Sequence, residues 1–579
     1  MAGRILQVDL TNRKVEVIER EELFDRYLGG DGVAVKLLQE YCPKGIDPLA
    51  PEAPIIFAIG PLNAFFPCCT KVVCMFKSPL TGNLGETHAG GRLGMTIRLA
   101  GYDAIVIKGR ASSPVYLAIH NDKVLIKDAS LLWGLSPYAV GRILREVEVG
   151  AGRRSIIRIG PAGEQLIRFA NVNVDTYRHF GRLGLGAVFG SKMLKAIVVR
   201  GSHDIPIKNL TRYRKLYESI YNDVVQTEKM MKYHDMGTAA NVSVLNEIKA
   251  LPTRNFNQAQ FENADNISGE NFASTYLARK IACPPCPIGC IHIATLRLPF
   301  AVGHEFQTML VPYDYEPIYA LGSNLGVNSP EGILRLIERC DRYGLDAIST
   351  GVILGWATEA YERNLISAKD TLGVPLSWGN VDNYLRAIDL AVQKANEFYL
   401  TFTKGVEALA SRFGGFDYAM ALGGNEVAGY MVGPATIVGQ LVGPRHSHLD
   451  NAGYSVDEKA LRTPLSHEQM VDLLVSEDYW RCLLTTLVIC LFARGVYTET
   501  VVVDALKCFN IERTPEELKE LGKQIFNEKY AFKMREGFKL SNLRIPKRFF
   551  EIACASGRIE EKTVQSMLKL YIQKTGLPA

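Results

Sequence analysis

The sequence predicts an α+β protein, with an N-terminal β-sheet domain followed by two mostly α-helical domains. Residues up to about 205 are rich in strand patterns, and the remainder is spaced for helices. At roughly 150 residues per domain, a chain of 579 residues divides into three or four domains. The segments fall at 1–207, 208–410 and 411–579, the last boundary lying near glycine-rich joints at 414–443.

The strand patterns come first. "RILQVDLTNRKVEVIE" alternates Leu6, Val8 and Leu10, turns at Thr11-Asn12-Arg13, and resumes with Val15 and Val17, which is a hairpin. "PVYLAIHNDKVLIKD" repeats the pattern with its turn between His120 and Lys123. "PIIFAIG" and "DAIVIKG" read as buried strands. "GRLGMTIRLAGYDAIVIKG" from Gly91 and "GRLGLGAVFGSKMLKAIVVRG" from Gly181 share a glycine turn, an apolar segment and a strand. Chance reuse of glycine turns is one reading. The other is two related halves, each offering an arginine and backbone N–H groups suited to phosphate.

Helical signals follow. "NLTRYRKLYESIYNDVVQTEKMMKY" and "DNYLRAIDLAVQKANEF" are amphipathic. Ser329 and Pro330 open a helix as N-cap and first residue, and Thr514 with Glu517 forms a capping box.

Bulk chemistry narrows the classes. Hydrophobic residues at 47% and charged residues at 22% describe a globular protein with a large core. A net charge of +5 without a basic stripe argues against nucleic acid and suits docking of an acidic partner. "MAGRILQVDL" lacks signal-peptide character, and "CLLTTLVICLF" is too short for a membrane span, so a cytoplasmic protein is expected. Most of the cysteines are then expected to be small core residues in a reducing compartment.

"ACPPCPIGC" is different. Cys283, Cys286 and Cys290 share a loop with Pro284, Pro285, Pro287 and Gly289. Three local cysteines and one remote one suit a [4Fe–4S] cluster. Zinc, with His292 nearby, and no metal at all are the alternatives. Spacing cannot choose the fourth ligand.

The chain resembles the tungsten-containing aldehyde:ferredoxin oxidoreductase family along essentially its whole length. The resemblance rests on "KSPLTG" (77–82), "AGGRLG" (89–94), "AGYDAIVIKG" (100–109), "GPAGE" (160–164), "GRLGLGAVFGSKMLKAI" (181–197), the cysteine triplet, "YEPIYALGSNLG" (315–326) and "CDRYGLDAISTG" (340–351). It implies a tungsten bis-pyranopterin, with molybdenum in some relatives, and one [4Fe–4S] cluster. It also implies Mg²⁺ joining the pterin phosphates, and a β domain carrying the flat cofactor beneath two helical domains.

Residue by residue, the resemblance places Lys71, His88, Ala89 and Gly90 at one pterin. Arg182, Leu183, Leu185 and Gly186 belong to the second glycine turn. Asp341, Leu345 and Asp346 are expected at pterin ring nitrogens, where a carboxylate suits a guanidine-like edge, and Gly344 also reads as a helix C-cap. The family's D-x-x-G-L-C becomes "TTLVIC" here: Thr485 replaces the aspartate and Val488 the glycine, with Ile489 carried over as a cofactor contact. Cys490 is the fourth cluster ligand on this reading, with Cys482 the weaker candidate.

The catalytic candidates are Glu316, expected to have a raised pKa and to act as a general base, and His448, preferred to His446 as donor to the carbonyl oxygen. Tyr315 and Tyr430 are candidate pocket residues. The implied reaction takes an aldehyde and water to a carboxylic acid. Two electrons reach tungsten and leave singly through the cluster to ferredoxin or a small polyferredoxin-like subunit. A homo- or hetero-oligomer is compatible. Two rivals are a reductive relative acting on an aromatic acyl-thioester and a pterin-free zinc or iron–sulfur scaffold.

Overall fold

The computed structural model describes residues 3–205, 207, 209–301 and 305–578. Lys208, where the second expected segment begins, lies outside them, as do both chain ends at 1 and 579.

Two six-stranded sheets form the N-terminal part. The first contains β1 (Arg4–Asp9), β2 (Lys14–Glu19), β3 (Ile55–Ala58), β4 (Val72–Lys77), β5 (Leu84–Ala89) and β6 (Ala104–Lys108), in the order β2-β1-β6-β3-β4-β5. The second contains β7 (Val115–His120), β8 (Lys123–Asp128), β9 (Arg154–Arg158), β10 (Val172–Val174), β11 (Arg178–Phe180) and β12 (Leu194–Arg200), in the order β8-β7-β12-β9-β10-β11. The two orders are identical, down to the parallel pairs β1/β6 and β7/β12. Each GRLG turn leads through a short helix into the equivalent central strand, β6 or β12. The alternating apolar faces meet between the sheets, where Leu6, Phe57, Ile105, Leu117, Ile157 and Ile197 share one core. The opposite face of the first sheet, with Ile56, Val73 and Val106, joins the large core of the helical part, so the strands β3 and β4 are buried on both faces.

The rest is mainly helical, with one departure. β13 (Leu277–Ile281), β14 (Ile291–Ala301) and β15 (Glu305–Tyr313) form an antiparallel sheet inside the segment expected to be helical. The boundary expected at 410 falls within the helix Val406–Phe413. Among the described residues, no helix is long and apolar enough to cross a membrane.

Two helix ends dock on the β domain in the same way. The helix Pro330–Tyr343 ends at Gly344 (φ 77°), with Leu345 N–H donating to Cys340 O. The helix His467–Thr486 ends through Val488 (φ 57°), with Ile489 N–H donating to Leu484 O. Asn171 N–H donates to Gly344 O at 2.8 Å, and Lys71 N–H to Val488 O at 3.1 Å. Asp346 and Cys490 donate their N–H groups to Phe169 O and Cys68 O. Gly160 packs against Tyr343 and Gly60 against Leu487 so closely that an added Cβ would overlap backbone in both places. The repeat thus extends from the sheets into the helices that cover them. Gly344→Ala should destabilise the protein by about 1–2 kcal/mol, the usual cost of a left-handed non-glycine residue, as measured by urea unfolding.

Candidate active site

Glu316 and His448 meet although they are far apart in sequence. Glu316 is in the first turn of the helix Tyr315–Leu321, a position that favours a carboxylate. His448 opens a short helix capped by Ser447. Its Nε2 lies 3.1 Å from Glu316 Oε1. Tyr430 OH donates to the same oxygen at 3.0 Å and stacks on the His448 ring. Tyr315 and Tyr454 pack on Tyr430.

The expectation of a raised Glu316 pKa is overturned. Burial pushes it up, but hydrogen bonding and charge from His448, its own backbone N–H and Tyr430 together bring it below the ordinary value. His446 faces elsewhere: Nδ1 lies 3.1 Å from Gln440 O and Nε2 2.9 Å from Lys533 Nζ. Burial and Lys533 hold its pKa well below the ordinary histidine value, so it is a neutral core group.

Cys283, Cys286, Cys290 and Cys490 form one cage. Burial raises Cys290, and Cys490, Cys283 and Cys286 each add to that rise. Cys283 Sγ accepts from Gly91 N–H at 3.1 Å, so the first glycine turn also serves the cage. Lys71 Nζ stands over Gly90 beside Cys283 and partly offsets the rise that burial gives Cys490. Cys482 instead has Lys529, Asp31 and Glu86 as charged neighbours. A fifth thiol was not foreseen: Cys68 Sγ is 3.6 Å from Cys286 Sγ, and Cys68 bridges Pro285 O and Cys490 N–H through its backbone. The donor set suits an iron–sulfur cluster.

Arg178 links cage and pair. Its charge is felt at Cys290, and its Nη1 lies 3.7 Å from Asp314 Oδ2, two residues before Glu316. Outside the cage wall, a cavity of about 430 Å³ is lined by Gly91, Arg92, Arg145, Arg154, Arg178 and Pro284. Arg92, Arg145 and Arg154 spend their hydrogen bonds on backbone carbonyls and the Thr176 hydroxyl rather than carboxylates, so that the arginines outweigh Asp175, which also lines the cavity.

The expected pterin contacts divide between the halves. In the second, Arg182 Nε donates to Asp346 Oδ2 at 3.0 Å, and Asp346 also caps the helix Ala347–Glu362 through Ile348 N–H. Asp341 Oδ1 lies 3.1 Å from His179 Nε2, and Asp341 Oδ2 accepts from Tyr138 OH at 3.2 Å. Leu345 O accepts from Asn171 Nδ2, and Leu183 O from Ser78 Oγ. Leu185 is fully buried. The Gly186 N–H donates to Ala170 O at 2.9 Å, so it is not a free phosphate donor as expected of the turn; close approach to the Ala170–Asn171 backbone uses it.

In the first half, His88 Nε2 lies 3.0 Å from Glu86 Oε1 and 3.3 Å from Asp31 Oδ1, with Ala89 ending β5 and Gly90 just beyond it. Ile489 is buried in its helix terminus. Arg182 Nη1, Arg178 Nε and His448 Nδ1 are buried polar atoms without a hydrogen-bond partner, and Asp31 Oδ1 has only the 3.3 Å contact with His88 Nε2, which is not aligned as a hydrogen bond. Such a set fits a polar group with anionic arms and ring N–H donors.

Comparisons agree with this architecture. The family described as aldehyde ferredoxin oxidoreductase, N-terminal domain, matches residues 5–201, and that described as domains 2 and 3 matches 215–578. The tungsten-containing aldehyde ferredoxin oxidoreductase of Pyrococcus furiosus is 33% identical over 99% of this chain and 96% of its own length. The aliphatic sulfonate oxidoreductase WOR-like subunit of the same organism is 33% identical over 68% of this chain and 64% of its own. The benzoyl coenzyme A reductase complex BamBC shares the fold, with a TM-score of 0.84 at 21% identity, covering 99% of this chain and 94% of that one.

Proposed function

The chain belongs to the aldehyde ferredoxin oxidoreductase family, and from that premise we propose that this oxidoreductase converts aldehydes to carboxylic acids. The observation that carries the reading is the Glu316–His448 pair, oriented by Tyr430 and joined to the cysteine cage through Asp314 and Arg178.

When bound, a tungsten bis-pyranopterin supplies two-electron oxidation, and a [4Fe–4S] cluster supplies one-electron exit. Arg182 and Lys71 would hold the phosphates, with Mg²⁺ between them, and Asp341 and Asp346 would hold ring nitrogens. Cys283, Cys286, Cys290 and Cys490 would hold the cluster. The reaction consumes aldehyde and water and yields acid, two electrons and two protons. A proton on His448 Nε2 rests on Glu316; when the substrate oxygen arrives, that hydrogen bond turns to it. The freed carboxylate, steadied by Tyr430 OH, takes a proton from water. The arginine-lined cavity beside the cage suits an acidic electron acceptor such as ferredoxin.

The test is anaerobic purification, metal and pterin analysis, and an aldehyde panel with a viologen dye. Tungsten, phosphorus and about four iron per chain with aldehyde-dependent dye reduction are expected. Zinc alone, or reactivity confined to aromatic acyl-thioesters, would overturn the reading. In the same assay Arg182→Ala should lower tungsten and pterin together by at least about half while the fold persists by circular dichroism. Full occupancy would remove Arg182 from the phosphate site.

A further inference from the structure

The two halves place a hydroxyl–carboxylate pair at the same spot, with the roles exchanged. In the second half, the carboxylate is Asp341, three residues before the left-handed Gly344 at the helix end. Its partner is Tyr138 OH, second residue of the helix Pro137–Val147 that follows the hairpin β7/β8. In the first half, the residue three before the left-handed Val488 is Thr485, which has no carboxylate. The acid is supplied from the other side. Asp31 is the second residue of the helix Gly30–Tyr41, which follows the hairpin β1/β2, and its Oδ2 accepts from Thr485 Oγ1.

The contact is locked by close backbone approach. A Cβ on Gly30 would stand 2.4 Å from Thr485 O, and Gly32 N–H donates to Thr486 Oγ1 at 2.9 Å. The surroundings match as well. Asp341 has His179, from β11, at 3.1 Å; Asp31 has His88, from the equivalent strand β5, at 3.3 Å. Asp31 is fully buried, and its Oδ1 has only that 3.3 Å contact with His88 Nε2, which is not aligned as a hydrogen bond.

We infer that Asp31 is the counterpart of Asp341 and that its Oδ1, the oxygen not taken by Thr485 and Lys529, accepts a ring N–H from the pterin on the first half. This deepens the proposed function and rests on it. Lys529 Nζ lies 2.5 Å from Asp31 Oδ2 and 2.7 Å from Glu86 Oε2. Burial and Glu86 push the Asp31 pKa up, but Lys529 and His88 more than reverse this, so the carboxylate is ionised and can only accept. The ammonium also opposes the other use of this group, a metal ion held by Asp31, Glu86 and His88, whose ligand atoms lie within 4.8 Å of one another.

The test uses anaerobically purified full-length protein, with pterin measured by fluorescence after oxidative release. Tungsten and iron are measured per chain. Asp31→Asn keeps the shape but turns one oxygen into a donor, and pterin should fall at least twofold at unchanged iron. The exchange Asp31→Thr with Thr485→Asp returns the acid to the helix end, as in the second half, and should recover most of the pterin. A folded Asp31→Asn protein as replete as a replete wild type would overturn the role of Asp31 alone. A wild type without pterin would overturn the functional reading beneath it, and a divalent metal lost with Asp31 at unchanged pterin would replace the inference by a cation site.

Discussion

Glu316→Gln should lower aldehyde-dependent turnover by about 10²–10⁴-fold, the usual worth of a positioned base, while tungsten, pterin and iron stay at wild-type levels. The amide preserves size and can still accept from His448 and Tyr430, but it cannot take a proton. Because the Glu316 pKa is held below its ordinary value, the carboxylate is ionised throughout pH 6–9. Wild-type kcat should therefore not fall through Glu316 protonation over that range, and the deficit of the Gln variant should be constant across it. His448→Ala should cost about 10²–10³-fold. His446→Ala should disturb stability through Lys533 more than turnover, since its ring faces Gln440 and Lys533. Viologen reduction on metal-replete variants is the measurement. Near-normal turnover of Glu316→Gln would remove it from the chemistry, and a greater kcat loss at His446 would exchange the two histidines.

The second large effect is expected at Cys490. Cys490→Ala should reduce iron from about four per chain to three or fewer, alter or abolish the reduced-cluster EPR signal, and leave dye reduction close to background. Cys482→Ala should keep a four-iron spectrum, because Cys482 lies among Lys529, Asp31 and Glu86 rather than in the cage. The opposite pair of results would falsify the ligand assignment. Cys68 makes the experiment more informative: with a thiol 3.6 Å from Cys286, Cys490→Ala combined with Cys68→Ala excludes recruitment of the fifth sulfur.

Much of the β domain was legible because local pattern and tertiary role coincide there. The hairpins at Thr11–Arg13 and Asn121–Asp122 need only alternation and a turn. The GRLG repeat showed in letters what the two sheets show in strand order. Helix signals at Ser329, Gly344 and Thr514 are local and appear as caps. The sheet β13–β15 was not legible: "LARKI" has little alternation, and the first four residues of β15 are exposed, so strand pairing rather than burial defines it. The shifted Glu316 was misjudged for a related reason. Its burial could be guessed from aromatic neighbours, but the groups that reverse its effect include His448 and Tyr430, more than a hundred positions away. Asp31 gave only the signal of glycines on either side, of which Gly30 allows close approach to Thr485 and Thr486 and Gly32 to Tyr27.

The cage has a temporal consequence. Its walls are the Cys68 turn, the loop from Cys283 to Cys290, and Cys490, about 200 residues beyond that loop. On a growing chain the paired sheets can close from nearby segments, whereas the fourth thiol emerges roughly 10–40 s after the third at 5–20 residues per second. Until then three sulfurs stand without their partner, and any inorganic core loaded early would be open on one side. If the cage holds the proposed cluster, the topology sets the order of events: three sulfurs first, and a closed inorganic centre only once Cys490 has emerged. Chains cut short before residue 490 should hold less than about four iron per chain.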